Sequence, residues 1–66
     1  MIDVPNIIRE CRRFRHLTQR QLADRSGVSR QTIWNVERDN NNTMLFTFEK
    51  LLEAMEFELV IREKRK

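Results

Sequence analysis

The first residues of the chain carry an apolar stripe at helical spacing. The apolar positions recur three and four residues apart, at Val4, Ile7, Ile8 and Cys11. Asp3 is suited to capping this segment and Pro5 to its first turn, which predicts a first helix over residues 4–15. Cys11, on the apolar face, is most simply a small core residue rather than a reactive thiol.

A second helix is predicted just before the one glycine of the chain. Thr18 and Gln21 have the spacing of a capping box, in which each side chain bonds the backbone amide of the other, so a helix over residues 19–25 is expected. Leu22 on this helix faces inward. Gly27 favours a left-handed backbone that turns the chain sharply after the helix.

A third helix, over residues 30–38 with Ser29 as its cap, has an apolar and a polar side. Ile33 and Val36 are predicted to face the core. The outward residues are Arg30, Gln31, Trp34, Asn35 and Arg38. Arginine pairs bidentately with guanine, and glutamine or asparagine with adenine, in a major groove wide enough to admit a helix. The pattern therefore favours base readout over an ordinary polar surface, where glutamate and lysine are more usual.

Residues 39–43 read DNNNT and form a predicted polar turn with nothing to bury. Its three asparagines are Asn40, Asn41 and Asn42. They either only shape the loop or also meet DNA phosphates through their amides.

Apolar periodicity resumes in residues 45–55, which predicts a fourth helix with Thr43 as its cap. Its apolar face is expected to comprise Leu45, Phe48, Leu51, Leu52 and Met55. Phe46 lies off this stripe. It is either surface decoration or part of a dimer contact, because exposed aromatic residues are favoured at interfaces.

In the last segment the apolar residues recur at every second position. Phe57, Leu59 and Ile61 alternate with other residues, as in a β-strand. No other segment has a strand pattern, and a lone strand leaves its backbone groups unpaired. The predicted partner is therefore the same strand of a second copy, antiparallel about a two-fold axis. Residues 62–66 are expected to be a frayed basic end, with weak attraction to DNA as the alternative.

Length and charge narrow the class of protein. A chain of 66 residues forms one domain with a marginal core, which a partner would help to stabilise. The net charge is only +3, but residues 1–38 hold eight arginines against four acidic residues, whereas residues 39–66 hold five basic against six acidic ones. The basic excess thus lies in the half with the predicted base-reading helix.

Enzyme, metal and membrane classes receive no support from the sequence. There is no nucleophile paired with a base, no phosphate-cradling glycine loop and no cluster of metal ligands, so no cofactor is expected. Cys11 is the only cysteine, which excludes an internal disulfide. No apolar run is long enough to cross a bilayer and no signal-peptide pattern opens the chain. We expect a non-enzymatic, soluble, cytoplasmic protein.

The run LTQRQLADRSGVSRQTIWNVERD resembles the helix-turn-helix of Cro/repressor or Xre-type DNA-binding proteins, which typically read L-T-Q-x-x-L-A-x-x-x-G-V-S-x-x-T-I-x-x-x-E-x-G. The matching positions are Leu17, Thr18, Gln19, Leu22, Ala23, Gly27, Val28, Ser29, Thr32, Ile33 and Glu37. The resemblance implies an all-α, lambda-repressor-like bundle of four to five short helices. His16 and Asp39 stand where that family usually has glycine, and both residue types tolerate a left-handed backbone.

The same resemblance assigns DNA contacts by position. The base-reading residues would be Arg30, Gln31 and Asn35. Contacts with the DNA backbone or groove walls would come from Gln19, Ser29, Thr32, Trp34, Arg38, Asn40, Asn41 and Asn42. Arg12 would pair with Glu37 as a structural brace. For Trp34 the alternative is a ring folded back over the edge of the core.

The C-terminal residues are similar to the strand of HipB-type antitoxins, which dimerise through a shared two-stranded sheet. We therefore expect a helix-turn-helix domain over residues 1–55, and a dimerisation strand with a basic tail over residues 56–66. The expected function is transcriptional regulation, most simply repression, by a homodimer on a palindromic double-stranded operator. The alternative is an antitoxin of a HipA/HipB-like pair, which binds a toxin protein and regulates its own operon.

Overall fold

The computed structural model describes residues 3–39 and 43–60, which form four α-helices. Their bounds are Val4–Phe14 for α1, Gln19–Ser26 for α2, Arg30–Asp39 for α3 and Leu45–Ala54 for α4. Helices α1 and α2 each pack against both α3 and α4. The predicted all-α bundle is confirmed, and each helix ends within one residue of its predicted bounds.

One hydrophobic core joins all four helices. Its buried members are Ile8, Leu17, Leu22, Ile33, Val36, Phe48, Leu51, Leu52 and Met55. Burial of each such side chain contributes about 1.5 to 3 kcal/mol, so the apolar stripes determine how the helices face one another. The prediction for Leu45 was wrong, because this side chain remains 58% exposed in the first turn of α4. Periodicity identifies the apolar side of a helix but not how far along it the neighbouring helices reach.

Local hydrogen bonds fix the turns around α2. The Gln21 amide donates to Thr18 Oγ1 at 3.0 Å, and the Thr18 amide donates to Gln21 Oε1 at 2.8 Å, so the predicted capping box is confirmed. Gly27 has a φ of 76° and His16 a φ of 56°, both in the left-handed region. The glycine turn therefore separates α2 from α3 as the sequence predicts.

Two residues that were predicted to flank helices have other positions in the structure. Asp39, expected to follow α3 in a left-handed conformation, is the last residue of the helix. The N-cap of α4 is Met44 rather than Thr43, because the first helical hydrogen bond runs from the Phe48 amide to the Met44 carbonyl at 3.0 Å. The Met44 side chain makes no capping hydrogen bond.

The predicted C-terminal strand is not seen in the single chain. Glu56 has a φ of 62°, which turns the chain out of α4. The Phe57 amide donates to the Leu52 carbonyl at 2.9 Å, whereas residues 58–60 make no backbone hydrogen bond to the described part of the chain. A strand exists only as part of a ladder, and a single copy offers this segment no partner.

Phe57 and Leu59 are half-buried against the core, as their alternation predicted, and Ile61 lies outside the described residues. Arg15, which follows α1, contacts the residues that follow α4. Its Nε donates to the Met55 carbonyl at 2.8 Å, and its guanidinium lies 4.5 Å from the centre of the Phe57 ring. The direction in which residues 57–60 leave the bundle is therefore set by contacts with α1.

Candidate nucleic-acid interface

One side of α3 presents a continuous set of exposed side chains. They are Arg30, Gln31, Trp34, Asn35 and Arg38, and we call them the α3 face. Ile33 and Val36 occupy the opposite side of the helix and are buried in the core. The spacing of the α3 face keeps its members on adjacent turns, so all of them reach the same external surface. An α-helix with its side chains has about the width of a major groove.

The members of the α3 face contact one another in pairs one turn apart. Gln31 Nε2 lies 3.4 Å from Asn35 Oδ1, a long hydrogen bond that sets the two amides side by side. The amide nitrogen of Asn35 and the amide oxygen of Gln31 remain available to an external partner. A donor and an acceptor held next to each other match the edge of adenine.

Trp34 supports Arg38 on the same face. The Arg38 guanidinium lies 4.7 Å from the centre of the indole ring, and Trp34 is 44% exposed. A cation–π contact of this type contributes about 0.5 to 1 kcal/mol at an exposed site. The indole therefore contacts another member of the α3 face and remains partly exposed.

The hydroxyls at the start of α3 form its N-cap. The Thr32 amide donates to Ser29 Oγ at 3.1 Å, and the Ser29 hydroxyl donates to Thr32 Oγ1 at 2.8 Å. Ser29 is thus engaged within the helix, whereas the Thr32 hydroxyl proton remains available to a phosphate oxygen. The other residues assigned to the DNA backbone, Asn40, Asn41 and Asn42, lie outside the described residues.

Gln19, at the start of α2, is drawn towards α3. Its Nε2 donates to Glu37 Oε1 at 3.3 Å, a bond that nothing in the sequence spacing indicates. Gln19 also lines an open recess together with Arg30, Gln31 and Trp34. One amide hydrogen is used by Glu37, so a phosphate contact would use the second one.

A buried ion pair holds the two helices of the motif to α1. Arg12 donates to Glu37 through Nε at 2.7 Å and through its second terminal nitrogen at 2.8 Å, and it also donates to the Leu17 carbonyl at 2.9 Å. Glu37 is only 4% exposed, and Arg9 donates to its backbone carbonyl. The hydrogen bonds to Glu37 raise the pKa of Arg12, so the guanidinium stays charged. The structure thus brings the predicted brace residues together.

The exposed charges of α2 and α3 differ from those of α4 and the segment after it. Helices α2 and α3 expose the arginines Arg20, Arg25, Arg30 and Arg38. Helix α4 and the segment after it expose the glutamates Glu49, Glu53, Glu56 and Glu58. A polyanion such as DNA is attracted to the first surface and repelled by the second.

Residues 3–39 and 43–60 were compared with the requirements of a metal site and of a membrane-spanning helix, and they meet neither. This part of the chain contains no group of three or more histidine, cysteine or acidic residues that could hold a metal ion. It also contains no helix long and apolar enough to cross a membrane. Burial raises the pKa of the Cys11 thiol, against the opposing effect of Arg15, so this cysteine is a poor nucleophile.

A family model described as helix-turn-helix matches residues 8–60, a range that includes α2, the glycine turn and α3. The chain belongs to the helix-turn-helix family. The Xre-type resemblance read from Leu17 to Asp39 is therefore confirmed.

Two curated relatives are similar in sequence to most of this chain. They are Antitoxin HipB of Escherichia coli strain K12 and Antitoxin HipB of Escherichia coli O6:H1 strain CFT073, each 34% identical over 59 residues. The aligned region covers 89% of this chain, and 67% and 63% of the two relatives. The chain thus spans about two thirds of the length of these proteins. The predicted similarity to HipB-type antitoxins is confirmed.

Proposed function

We propose that this protein is a sequence-specific repressor that binds a palindromic operator as a homodimer. The observation that supports it is the α3 face, which gathers guanidinium and amide groups on the exposed side of a helix whose other side is locked into the core. The two arginines and two amides of this face match the hydrogen-bonding groups of base edges.

In this proposal each residue of the α3 face has a stated partner. Arg30 would bind guanine bidentately, and the Gln31–Asn35 amide pair would bind adenine. Arg38, which contacts Trp34, would also contact the wall of the groove. The second amide hydrogen of Gln19 and the hydroxyl of Thr32 would bind phosphates, which fixes the register of the helix without specifying sequence.

Dimerisation supplies a second copy of α3 that can bind a second half-site. Two copies joined through residues 57–61 would place their α3 helices about 34 Å apart, in successive major grooves on one side of the DNA. Occupancy of such an operator would exclude polymerase. A single copy would contact only one half-site and would bind weakly.

A gel-shift titration of substituted proteins tests the base-reading assignment. Arg30→Ala and Gln31→Ala should each cost about 1 to 3 kcal/mol of binding free energy on the selected operator, because each removes one base contact, and should relax base preference at one position. Arg13→Ala is the matched control, since this exposed arginine lies on α1 outside the α3 face. If Arg30→Ala and Gln31→Ala bind every sequence as the unsubstituted protein does, α3 is not the reading helix.

A second candidate function is supported by the two HipB relatives, which are antitoxins. In this case the main partner would be a toxin protein, and DNA binding would regulate the operon of the pair. A toxin-like or kinase-like reading frame beside the gene, whose product forms a stable complex with this protein, would favour the antitoxin. A lone locus would favour the plain repressor.

A further inference from the structure

The open recess at the start of α3 has one apolar wall. It is lined by Gln19, Arg30, Gln31 and Trp34. Three of these side chains end in amide or guanidinium groups, whereas the indole of Trp34 is an apolar surface with a single polar atom. Trp34 is also the one apolar member of the α3 face, and it is 44% exposed. A group of DNA that enters this recess therefore meets hydrogen-bonding groups and one accessible aromatic ring.

The contact between Trp34 and Arg38 does not close this recess. Arg38 follows Trp34 by one helical turn, and its guanidinium lies 4.7 Å from the centre of the ring. The α3 residues that line the recess with Trp34, Arg30 and Gln31, precede it by one turn, and Arg38 is not among the lining residues. The indole thus borders the recess on a side that Arg38 does not cover.

Few groups in a major groove are suited to pack against an indole. Phosphate oxygens and the nitrogen and oxygen atoms of base edges are polar, and the guanidinium and amides of the recess would bind them. The 5-methyl group of thymine is the apolar group that base pairs present in this groove. It is exposed to water in free DNA, so its burial against an aromatic ring is favourable. We propose that Trp34 is a specificity-determining residue that binds the 5-methyl group of a thymine in the operator.

The position of this thymine follows from the position of Gln31. The inference rests on the proposed function, in which Gln31 binds an adenine of the operator. Residues three apart on a helix have their Cβ atoms about 5 to 6 Å apart, which is less than two base-pair steps of about 3.4 Å. The thymine therefore lies within two base pairs of that adenine.

Replacing thymidine with deoxyuridine tests the contact, because it removes the methyl group and leaves the hydrogen-bonding edge of the base unchanged. Each thymidine within two base pairs of the adenine is replaced in turn in one half-site of an operator selected from random DNA. One of these replacements should weaken binding of the unsubstituted protein about fourfold, the loss expected for one buried methyl group. Gel-shift titration measures the ratio of the two affinities.

Substitutions at Trp34 assign the methyl contact to its ring. Trp34→Phe keeps an aromatic surface and should retain a preference for thymidine over deoxyuridine at that position. Trp34→Gln removes the apolar surface and should bind both operators equally. Arg13→Ala, on α1 outside the α3 face, is the matched control and should keep the fourfold ratio. Helical circular dichroism of each variant verifies that the bundle is folded.

Two results would overturn the inference and leave base reading by Arg30 and Gln31 standing. In the first, no deoxyuridine replacement weakens binding of the unsubstituted protein. In the second, Trp34→Gln weakens binding to both operators but keeps the fourfold ratio, which would assign the ring to the sugar-phosphate wall. A protein that selects no sequence from random DNA would overturn the proposed function and this inference together.

Discussion

Glu37 shows how one buried residue connects folding with recognition. Its carboxylate accepts hydrogen bonds from Arg12 and Gln19, and its backbone carbonyl accepts one from Arg9. A carboxylate removed from water is tolerated only when its oxygens are paired in this way. Because Gln19 also borders the α3 face, the brace that stabilises the bundle also orients a predicted phosphate contact.

Glu37→Ala should lower the free energy of unfolding by about 3 kcal/mol, the lower end of the range for breaking a buried ion pair. The substitution leaves the Arg12 guanidinium, only 17% exposed, without its partner. Urea denaturation followed by circular dichroism measures the loss.

The matched control is Glu10→Ala, whose partner Arg13 lies at 3.1 Å on the surface with both side chains more than half exposed. An exposed pair contributes at most about 1 kcal/mol. Equal losses in the Glu37 and Glu10 variants would show that the brace contributes no more than a surface ion pair.

At the scale of elements, the turn between α2 and α3 determines the angle at which the α3 face is presented. Gly27 caps α2 with a left-handed backbone, and its amide donates to the Ala23 carbonyl at 2.9 Å. No atom lies within 4 Å of a Cβ built at this position. The requirement for glycine is therefore conformational and not steric.

A conformational requirement for glycine predicts which of two substitutions at Gly27 destabilises the protein more. Gly27→Ala should lower the free energy of unfolding by about 1 to 2 kcal/mol, whereas Gly27→Asn should cost less, because asparagine tolerates the left-handed region better than alanine does. Thermal or urea unfolding of both variants decides the question. A steric requirement would give the reverse order, since asparagine is the larger residue.

Local signals in the sequence account for most of the fold. The capping box and Gly27 lie within a few residues of the turns they form, so both could be read directly. The exposed Leu45 and the Gln19–Glu37 bond depend on contacts between elements distant in sequence, which periodicity does not encode. The same limit explains the missing strand, because its predicted partner is another chain.

For the whole molecule, exposed charge differs between the helices. Helices α2 and α3 expose four arginines, whereas α4 and the segment after it expose four glutamates. Attraction of DNA by the arginines and its repulsion by the glutamates would favour one orientation of approach before any base is read.

The proposed dimer predicts that affinity depends strictly on the spacing of the two half-sites. Moving the two half-sites apart by about 5 base pairs, half a helical turn, should reduce affinity to that of a single half-site, because the second α3 would face the wrong side of the DNA. An insertion of about 10 base pairs keeps the helical phase and serves as the comparison. Gel-shift titration on the three sequences measures these affinities. Equal affinity for all of them would exclude a dimer that holds its two α3 helices at a fixed distance.

The pairing of residues within the α3 face has a consequence for evolution. Gln31 contacts Asn35, and Trp34 contacts Arg38, but these exposed side chains contribute nothing to the buried core. Surface substitutions of this kind usually change stability by no more than about 0.5 kcal/mol. A lineage could therefore exchange these residues and acquire new operators while Ile33, Val36 and Glu37, on the same helix, preserve the scaffold.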